Sequence, residues 1–541
     1  MPSTLRSGLQ SGRIRALPFL LFFGCLALLV LSSSLPAAWS RTKFAAKVDH
    51  GTSHPSTESM NTSKSHPSPP SASFSLPEDA PFPVVNPPNA VNPVNQLYAR
   101  QSKTLEEAVT RYSLRNGRAP PPNFEKWFQF AQNHSCLIDE YDQIRRDFEP
   151  FYRLAEKNPW YFQTMVDLGR ELMLKDPGGM VTIKIENGAV KMPNYTGSAW
   201  DPEWPATLSA FAHLLPDVEF LINGRDEPRV VFNTHDPDIW SSAGVLHDHT
   251  PFHVTPVPSS EFFKNRSECK TLSVDGTGQV DALEDVAFIR SASNTDFTTD
   301  LWPILSMTKI PGACFADILF PGQYYYNSSA WSGKFGVPSD ISWEDKQPIL
   351  YWRGSSNGGR IIHDNYHAFS RFRLIKIAES RPDIIDARLI RVYGPHCTVD
   401  CELEPILEEY NIKPQYIRPR EEIYQFKYLL DVDGNTFSGR YLGLLRSGSL
   451  VFKATAFEEY FSDWIRPWEH YVPVHIGLGD LVEKVEWAMS HEEEARAIQR
   501  NGQEFAQRVM TDEQNACYFA LVLLEWARLQ GYAKAGSNGD L

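Results

Sequence analysis

Apolar and polar positions are patterned most regularly in the C-terminal half of the chain. The apolar runs in "PILYWRG", "ARLIRVYG", "FKYLLDVDG" and "SLVFKA" predict buried strands. The segments "FSRFRLIKIAES" and "TFSGRYLGLLRSG" between them predict helices, the second closed by Gly448. Strands that alternate with helices of about 10–15 residues are typical of parallel βαβ units. This half is therefore predicted to be α/β, with a parallel sheet.

Patterns elsewhere are less regular. In "TLEEAVTRYSLRNG", Thr104 can cap a helix that begins with acidic residues and ends at a glycine. A second helix is predicted through "CLIDEYDQIRRDFEPFYRLA", and a strand, a polar turn and another strand through "VEFLINGRDEPRVVFN". "LVEKVEWAMSHEEEARAIQRNGQEFAQRVM" and "CYFALVLLEWARL" predict closing helices.

An apolar stretch near the N-terminus is long enough to cross a bilayer. Arg6, Arg13 and Arg15 precede "ALPFLLFFGCLALLVLSSSL", which matches the roughly 20 residues that a transmembrane helix needs. The positive-inside rule then predicts a cytoplasmic tail and a luminal body. A cleaved signal peptide is the alternative, and either one sends the rest of the chain into the secretory pathway.

The segment that follows is rich in Ser, Thr, Pro and Asn, as in "SHPSTESMNTSKSHPSPPSASFS" and "VVNPPNAVNPVN". It has too few large apolar residues to form a core, which predicts a disordered stem between the membrane and the folded body.

Glycosylation sequons and cysteines agree with a luminal body. Five N-x-[ST] sequons occur, at Asn61, Asn133, Asn194, Asn265 and Asn327. One of the seven cysteines, Cys25, lies in the apolar stretch, and the six others are an even number suited to an oxidising compartment. "HCTVDC" has no second ligand pair nearby, so Cys397 and Cys401 are interpreted as a disulfide or as two unpaired structural cysteines rather than as a metal site.

Length and charge limit the architecture and the partners. A chain of 541 residues predicts two or three folded units besides its tails. A formal net charge of -14 argues against binding of a nucleic-acid backbone as the main function. A local basic pocket for one small anion is compatible with it.

Two glycine-containing loops follow predicted strands, "WRGSSNGGR" and "DGNTFSGR". Ligands of open α/β sheets bind beyond the carboxyl ends of the strands. Glycines, hydroxyl groups and an arginine in each loop are suited to cradling a diphosphate.

Arg440 and the two aspartates before it allow different chemistries. A cation in the first turn of a helix opposes the helix dipole, which predicts an anion beside Arg440. That anion is either a bound phosphate or the carboxylate of Asp431 or Asp433. Residues two apart in a strand face the same side, so this Asp-x-Asp could instead hold a metal, although one Asp there more often caps a helix or pairs with an arginine.

Asp226, in "LINGRDEPR", is the candidate general base. It follows a predicted buried strand and could project into a crevice to accept a proton from a hydroxyl group. The alternative is a charged surface turn. The nearby "NTHDPD", with His235, Asp236 and Asp238, lacks a third ligand of clear spacing and is interpreted as a loop.

Taken in order, the motifs resemble the fungal capsule-associated CAP10 glycosyltransferases, glycosyltransferase family 90, related to the Rumi-type protein O-glucosyltransferases. The resemblance runs from about residue 104 to about residue 529. It rests on "PPPNFEKW", "DEYDQI", "INGRDEP", "DILFPGQYYY", "YWRGSSNGG", "RFRL", "KYLLDVDGNTFSGR" and "SGSLVFK" with "PWEHYVPV".

The resemblance implies a GT-B fold of two Rossmann-like domains facing a cleft. With the N-terminal features, the expected organisation is a tail (1–15), a signal-anchor (16–38), a stem (39–100), an acceptor-side domain (101–335), a donor-nucleotide domain (336–480) and helices that pack back on the body (481–541). The expected location is the Golgi or endoplasmic reticulum membrane, as a single-pass type II protein.

Site residues follow from the same resemblance. Asp226 matches the family's catalytic base. The expected donor-binding residues are Gly354, Ser355, Arg360, Gly434, Asn435, Ser438 and Arg440. The spacing after Gly358 departs from the Rumi-like form, so Arg360 is carried over least directly. The closing helix suggests a disulfide between Cys517 and Cys136.

The implied reaction is an inverting transfer of xylose or glucose from a UDP-sugar to a hydroxyl group, with no cofactor and no metal. The expected acceptor is a capsular or cell-wall glycan, a glycolipid or a glycoprotein. A metal-dependent GT-A transferase using Asp431 and Asp433 is one alternative, and a catalytically silent luminal glycan-binding protein is another. A glycoside hydrolase would need a pair of facing carboxylates instead.

Overall fold

The computed structural model describes residues 92–173, 179–193, 200–234, 240, 253–254, 291–292, 296–311, 315–330, 332–333, 341–397 and 400–537. The expected tail, signal-anchor and most of the stem lie outside them, as do Asn61, Asn194, Asn265, His235, Asp236 and Asp238. Among the helices of the described residues, none combines the length and the apolar character that a bilayer span requires.

Helices and strands both occur along the described residues. The α-helices span Pro93–Ala99, Leu105–Asn116, Phe124–Asn133, Asp142–Ala155, Tyr161–Met173, Trp204–Ser209, Ser370–Ser380, Leu403–Glu409, Tyr441–Arg446, Leu481–Ser490, Glu492–Arg508 and Asp512–Ser537. The strands are β1 (Met180–Glu186), β2 (Ala189–Lys191), β3 (Val218–Asn223), β4 (His253–Val254), β5 (Asp296–Phe297), β6 (Leu305–Ser306), β7 (Thr308–Lys309), β8 (Ile318–Leu319), β9 (Gln347–Ser355), β10 (Ile385–Arg391), β11 (Phe426–Val432), β12 (Leu450–Ala454), β13 (Glu458–Glu459) and β14 (Val472–Pro473).

The C-terminal sheet has the strand order β10-β9-β11-β12-β14, and every neighbouring pair is parallel. The predicted parallel α/β arrangement of this half is confirmed. Because the chain first adds β10 on one side of β9 and then β11 on the other, the strand order reverses between β9 and β11. Doubly wound sheets bind ligands beyond the carboxyl ends of the strands at such a switch point.

A second five-stranded sheet has the order β2-β1-β3-β6-β8. β3, β6 and β8 run parallel, whereas β1 pairs antiparallel with both β2 and β3. This sheet is therefore mixed, and the fold is mixed α/β. The strand predicted through "VEFLING" is confirmed as β3.

The prediction of a second strand nearby, through "RVVFN", is wrong. Val230 and Val231 each form only an isolated bridge. The buried carboxylate of Asp317 accepts hydrogen bonds from the backbone N–H groups of Arg229 and Val230, at 2.8 and 2.9 Å. Since a side chain takes these donors, they are not available for a regular ladder.

The helix predicted after Thr104 is confirmed as Leu105–Asn116. The Thr104 side chain accepts from the Glu107 N–H while the Glu107 carboxylate accepts from the Thr104 N–H, a complete capping box. The helix ends at Gly117, which has a positive φ of 65°, a conformation that glycine adopts without steric cost.

The second predicted helix begins later than "CLIDEYDQI" suggested, at Asp142. The preceding backbone N–H groups are engaged by side chains: Gln514 accepts from Leu137, and Gln101 accepts from Ile138 and from the next residue. These groups therefore cannot join a helical hydrogen-bond ladder.

The segment assigned to the end of the stem is folded. Asn92 caps a helix that spans Pro93–Ala99, and this helix buries Val94 and Leu97. The Tyr98 hydroxyl donates to the Arg508 carbonyl at 2.9 Å. The Pro- and Asn-rich composition predicted disorder in this segment and did not indicate that Val94 and Leu97 are buried.

The long C-terminal helix Asp512–Ser537 ties distant parts of the chain together. A disulfide joins Cys136 to Cys517 in this helix, and the Trp127 indole donates to the Cys517 carbonyl at 2.8 Å. The helix also contacts strand β3. A second disulfide joins Cys397 to Cys401.

We expect the Cys136→Ser/Cys517→Ser double variant to lose about 2–5 kcal/mol of unfolding free energy. The bond links residues 381 apart, so its removal frees a large loop in the unfolded state. Thermal unfolding under non-reducing conditions measures the effect. Cys397→Ser/Cys401→Ser is the matched control, because that bond spans a separation of only 4 residues and should cost less. Equal losses in the two variants would contradict this account.

Candidate active site

A cavity of about 580 Å³ opens where the polar loops after β9 and β11 face the turn after β3. Cavities of this order, about 300–1,000 Å³, hold small-molecule ligands in many proteins. Its position at the switch point of the C-terminal sheet is the place where doubly wound folds bind ligands.

The two loops predicted to bind a ligand, "WRGSSNGGR" and "DGNTFSGR", supply part of its wall. Of the expected site residues, the cavity is lined by Asp226, Ser355, Gly434, Asn435, Ser438 and Arg440. Gly354 and Arg360 are not among the lining residues.

The loop after β11 presents unsatisfied polar atoms to the cavity. Ser438 is buried, and its Oγ has no hydrogen-bond partner among the residues that the structure describes. The same holds for the Nη2 atom of Arg440, whose Nη1 donates to the Arg353 carbonyl at 2.9 Å. Buried polar groups are normally paired. An anionic ligand in the cavity could accept hydrogen bonds from the Ser438 hydroxyl and from the Nη2 atom of Arg440.

The helix expected to contain Arg440 in its first turn begins one residue later. It spans Tyr441–Arg446, with Arg440 as the flanking residue. Residues 436–437 are bends and residues 439–440 form a turn, so this part of the predicted helix is not helical. Burial lowers the pKa of Arg440, and the nearby Arg420 guanidinium adds to this, while Asp431 opposes it.

A second buried arginine, Arg371, lies beside this loop. Its guanidinium donates to the carbonyl oxygens of Asp433, at 2.8 Å, and Ser355, at 2.9 Å, so it fixes the two loops to each other. Burial lowers its pKa, and the Arg440 guanidinium lowers it further. Two desolvated cations this close make the cavity favourable for a negatively charged ligand.

Gly354 serves packing and does not line the cavity. A Cβ atom placed there would lie 2.4 Å from the Trp352 ring. The indole of Trp352 also lies under the guanidinium groups of Arg371 and Arg440, 5.6 and 5.8 Å from its ring centre. Only glycine leaves this ring its place beneath the arginines.

Arg360 lies away from the cavity wall. Its backbone N–H donates to the Ser291 carbonyl at 2.8 Å, and its own carbonyl accepts from Asn365 at 3.0 Å. Arg353 and Arg371 line the cavity in this region instead.

The Asp-x-Asp of the β11 end turns away from the cavity. Asp431 pairs with the buried ammonium group of Lys453 at 3.0 Å, and the Asp433 carboxylate accepts from the Ala456 N–H at 2.8 Å. Neither aspartate lines the cavity. The described residues contain no cluster of three or more His, Cys, Asp and Glu side chains suited to a metal. An ion pair between Arg440 and an aspartate was one of the two alternatives for the anion beside Arg440. Asp431 forms its ion pair with Lys453 instead.

Asp226 faces the β11 loop from the end of β3. The turn is fixed by Asn223, whose Nδ2 donates to the Glu227 carbonyl at 2.7 Å and whose Oδ1 accepts from the Arg225 N–H at 3.1 Å. Beyond the turn, the Asp317 carboxylate holds the chain as described above.

The surroundings of Asp226 suit a proton acceptor. Its pKa is raised to about 7, mainly by burial and then by the Glu227 carboxylate, while the Asn435 side chain opposes the rise. A general base works best when its pKa lies near the working pH. The alternative of a charged surface turn does not fit, because Asp226 is half-buried and lines the cavity.

The wall next to Asp226 is built on close backbone contacts. A Cβ atom at Gly333 would lie 1.7 Å from the Gly439 carbonyl oxygen, and one at Gly439 would lie 2.5 Å from the Tyr324 ring. Tyr324 lines the cavity, and burial raises its pKa, as does the Asp226 charge. Gly333 thus packs closely against the β11 loop, beside the candidate base.

Several lining residues were not predicted. They are Tyr324, Ser332, Gly333, Trp352, Arg353, Asn357, Arg371, Arg418 and Arg420. Arg371 lies in the motif "RFRL", to which the resemblance assigns no role. A cation near the start of a predicted helix could have indicated an anion beside it. Arg418 and Arg420 flank a proline in a segment without helix or strand periodicity, so no comparable pattern points to them.

The fold and the cavity together define an α/β protein with an arginine-lined ligand site at the switch point of a parallel sheet. Residues 283–539 match the model of Glycosyl transferase family 90, and the chain therefore contains a glycosyltransferase family 90 domain. Ser438 and Arg440 lie inside the matched residues, and Asp226 lies before them.

Curated relatives carry related names. The chain is 28% identical to mouse protein O-glucosyltransferase 3 over 224 residues, 40% of each chain. It is 30% identical to zebrafish protein O-glucosyltransferase 2 over 198 residues, 35% of this chain and 34% of the relative. It is 27% identical to an Aedes aegypti O-glucosyltransferase rumi homolog over 193 residues, 35% of this chain and 44% of the relative. The chain thus spans less than half the length of each of these relatives.

Proposed function

We propose that the protein is an inverting glycosyltransferase that moves a sugar from a UDP-sugar to an acceptor hydroxyl group, with Asp226 as general base. The observation that carries the proposal is one cavity lined by Asp226 together with Ser438 and Arg440, each of which has a buried polar atom without a partner among the described residues. The family 90 domain supports sugar transfer as the class of reaction. A GT-B arrangement, with the donor nucleotide on the C-terminal sheet, agrees with the position of the cavity.

In the proposed reaction the acceptor oxygen attacks the anomeric carbon from the side of Asp226. Its proton passes to the Asp226 carboxylate as the new C–O bond forms. The bond between the anomeric carbon and the diphosphate oxygen breaks, and its electron pair leaves with UDP. Arg440 and the Ser438 hydroxyl stabilise the charge that develops on the diphosphate. The arginines supply the positive charge that a metal supplies in other transferases, so we propose a reaction without a metal cofactor.

Glucose and xylose are the donor sugars that we propose to test first. The names of the relatives, protein O-glucosyltransferases, support glucose and a glycoprotein acceptor. The resemblance to capsule-associated enzymes supports xylose and a glycan or glycolipid acceptor. Donor choice depends on a few contacts in the pocket.

A luminal location in the secretory pathway is part of the proposal. The two disulfides agree with an oxidising compartment. Asn133 and Asn327, the sequon residues that the structure describes, are both exposed as glycan attachment requires. Anchoring by residues 16–38 in the Golgi or endoplasmic reticulum membrane completes this expectation.

The experiment is nucleotide release from a panel of UDP- and GDP-sugars, with glycoprotein and glycan acceptors, with and without EDTA. We expect UDP release from UDP-glucose or UDP-xylose that persists in EDTA. Activity abolished by EDTA and restored by a divalent metal would favour the metal-dependent alternative. Binding of glycans without any nucleotide release would favour the silent binding protein.

A further inference from the structure

Two short strands join the half of the fold that carries the mixed sheet to the half that carries the C-terminal sheet. β7 (Thr308–Lys309) lies between β6 and β8 along the chain, whereas β13 (Glu458–Glu459) follows β12. The two strands pair antiparallel, and the Thr308 hydroxyl donates to the Glu458 carbonyl at 2.7 Å. β13 therefore links the two halves at this point.

The Glu458 carboxylate belongs to a cluster around a buried lysine, Lys309. The Lys309 ammonium group lies 2.5 Å from the Asp147 carboxylate and 3.9 Å from the Glu458 carboxylate. It also donates to the Asp317 carbonyl at 3.0 Å. The exposed fraction of the side chain is 7% for Lys309, 0% for Asp147 and 18% for Glu458, so these charges are screened little.

The Glu459 carboxylate belongs to a second cluster, around Lys453, because successive side chains of a strand point to opposite faces. The Lys453 ammonium group lies 3.0 Å from the Asp431 carboxylate and 3.9 Å from the Glu459 carboxylate. None of the three side chains is more than 4% exposed. The Tyr325 hydroxyl donates to the Glu459 carboxylate.

The two clusters share one arrangement, in which a buried lysine faces a close carboxylate and a more distant one on β13. The close ion pair leaves the distant carboxylate without a full countercharge, and a buried charge in that state is costly. Arg146 offsets part of the Glu458 charge but forms its own ion pair with Asp463 at 2.8 Å. Asp433 adds negative charge near Glu459.

The pKa values of both glutamates lie above the ordinary value of 4.5, mainly because of burial. The pKa is raised to about 7 for Glu458 and to about 8 for Glu459, and the lysine of each cluster opposes the rise. The unfolded chain therefore releases these protons at a lower pH than the folded chain. The free energy of unfolding should fall as the pH rises above about 4.5, and this loss should be complete above about pH 8.

We propose that β13 is a pH-sensitive switch that controls how firmly the two halves of the fold are joined. With Glu458 and Glu459 protonated, each lysine is balanced by one carboxylate and β13 stays paired with β7. Ionisation adds one buried negative charge to each cluster and weakens the pairing.

The switch adjoins the candidate active site. Tyr325, the partner of Glu459, follows the cavity-lining Tyr324, and its ring stacks with that of the cavity-lining Phe437 at a centroid distance of 6.2 Å. The switch does not depend on the reaction proposed above, so a protein that transfers no sugar would leave this inference standing.

The test is hydrogen–deuterium exchange of the full-length protein, followed by mass spectrometry in peptides that contain β7 or β13. After correction for the intrinsic pH dependence of exchange, protection of these amides in the wild-type protein should fall about tenfold or more between about pH 6 and about pH 8.5. Glu458→Gln/Glu459→Gln keeps the shape and an acceptor oxygen of each side chain but cannot ionise. Its protection should change by less than about twofold over the same range.

Glu525→Gln is the matched control. Glu525 is also a buried glutamate, 3% exposed, and its pKa is raised to about 7, mainly by burial. It pairs with Arg528 in the C-terminal helix and not with β13. This variant should keep the wild-type pH dependence of protection at β7 and β13. Loss of that dependence in Glu525→Gln would show a global effect and overturn the proposal.

Thermal unfolding separates a switch from a purely structural role of the two glutamates. The double glutamine variant should unfold at a higher temperature than the wild-type protein at about pH 8.5, and this advantage should shrink as the pH falls towards about 5. A structural role predicts a less stable variant at both pH values. Each single glutamine variant should show part of the effect and replaces the double variant if that one does not fold. Protection that does not depend on pH in the wild-type protein, or that depends on pH equally in the glutamine variants, would also overturn the proposal.

Discussion

Replacement of Asp226 by asparagine is expected to lower kcat/KM for sugar transfer by about 10²–10⁴-fold, the usual contribution of a general base. Asparagine keeps the shape of the side chain, but it cannot take up a proton. UDP affinity should change little, because the buried donors that lack a partner among the described residues belong to Ser438 and Arg440 and not to Asp226. Initial-rate kinetics and calorimetric titration with UDP give the two quantities.

The pH profile adds an independent readout for Asp226. Its pKa is raised to about 7 by burial, and a base must be deprotonated to act. Transfer by the wild-type protein should therefore fall as the pH decreases below about 7, and the residual rate of Asp226→Asn should not follow this limb. Asp383→Asn is the control, because Asp383 is 60% exposed and pairs with Arg381. UDP binding lost in Asp226→Asn but not in Asp383→Asn would contradict the role of a base.

Elements with local stabilisation could be predicted from the sequence. The residues that flank the helix Leu105–Asn116 determine where it begins and ends: Thr104 forms a capping box, and Gly117 adopts a left-handed conformation. β9 and β11 are apolar runs that end in glycine-containing loops, as buried parallel strands do. For these segments, neighbouring residues determine the conformation.

Elements that depend on distant partners could not be predicted. "RVVFN" has the composition of a strand, but Asp317, far along the chain, takes two of the backbone donors in that region. "CLIDE" has the pattern of a helix start, but Gln101 and Gln514 bind its backbone. Such contacts leave no local trace in a single sequence, and tertiary context then overrides propensity.

The candidate site was predictable where a strand end and a polar loop coincide. Ser438 and Arg440 were selected on that ground, and the structure places both on the cavity. Arg360 was expected from the family resemblance, although the spacing after Gly358 departs from the Rumi-like form, and it lies away from the cavity, whereas Arg371 reaches the same region from a helix. Which of several arginines reaches a site depends on helix placement, which spacing along the chain does not specify.

Asp431 and Asp433 show the same limit for residues that the sequence suggests as ligands but that do not line the cavity. Asp431 and Asp433 attract attention as a possible metal site, yet Lys453, on the neighbouring strand β12, neutralises Asp431 inside the sheet. An ion pair with both groups buried is costly to form unless well satisfied. Lys453 binds Asp431 and the Ala456 N–H binds Asp433, and neither carboxylate lines the cavity.

Replacement of Arg440 by alanine is expected to weaken UDP binding by about 10–100-fold, the range of one charge-assisted hydrogen bond. The Nη2 atom of Arg440 is buried without a partner among the described residues, and Nη1 is fixed on the Arg353 carbonyl. Arg440→Lys should be intermediate, because a single ammonium group keeps the charge but not both hydrogen bonds. Calorimetric titration with UDP measures each dissociation constant.

Arg381→Ala is the control for a lost guanidinium group, because Arg381 bonds Asp383 and Glu486 outside the cavity. Its UDP affinity should equal that of the wild-type protein. Added phosphate salts should compete with UDP in the wild-type protein more strongly than in Arg440→Ala, since the site of competition is the missing cation. An unchanged dissociation constant in a folded Arg440→Ala variant would exclude Arg440 from the diphosphate site. The diphosphate would then have to be bound by the other arginines that line the cavity, Arg353, Arg371, Arg418 and Arg420.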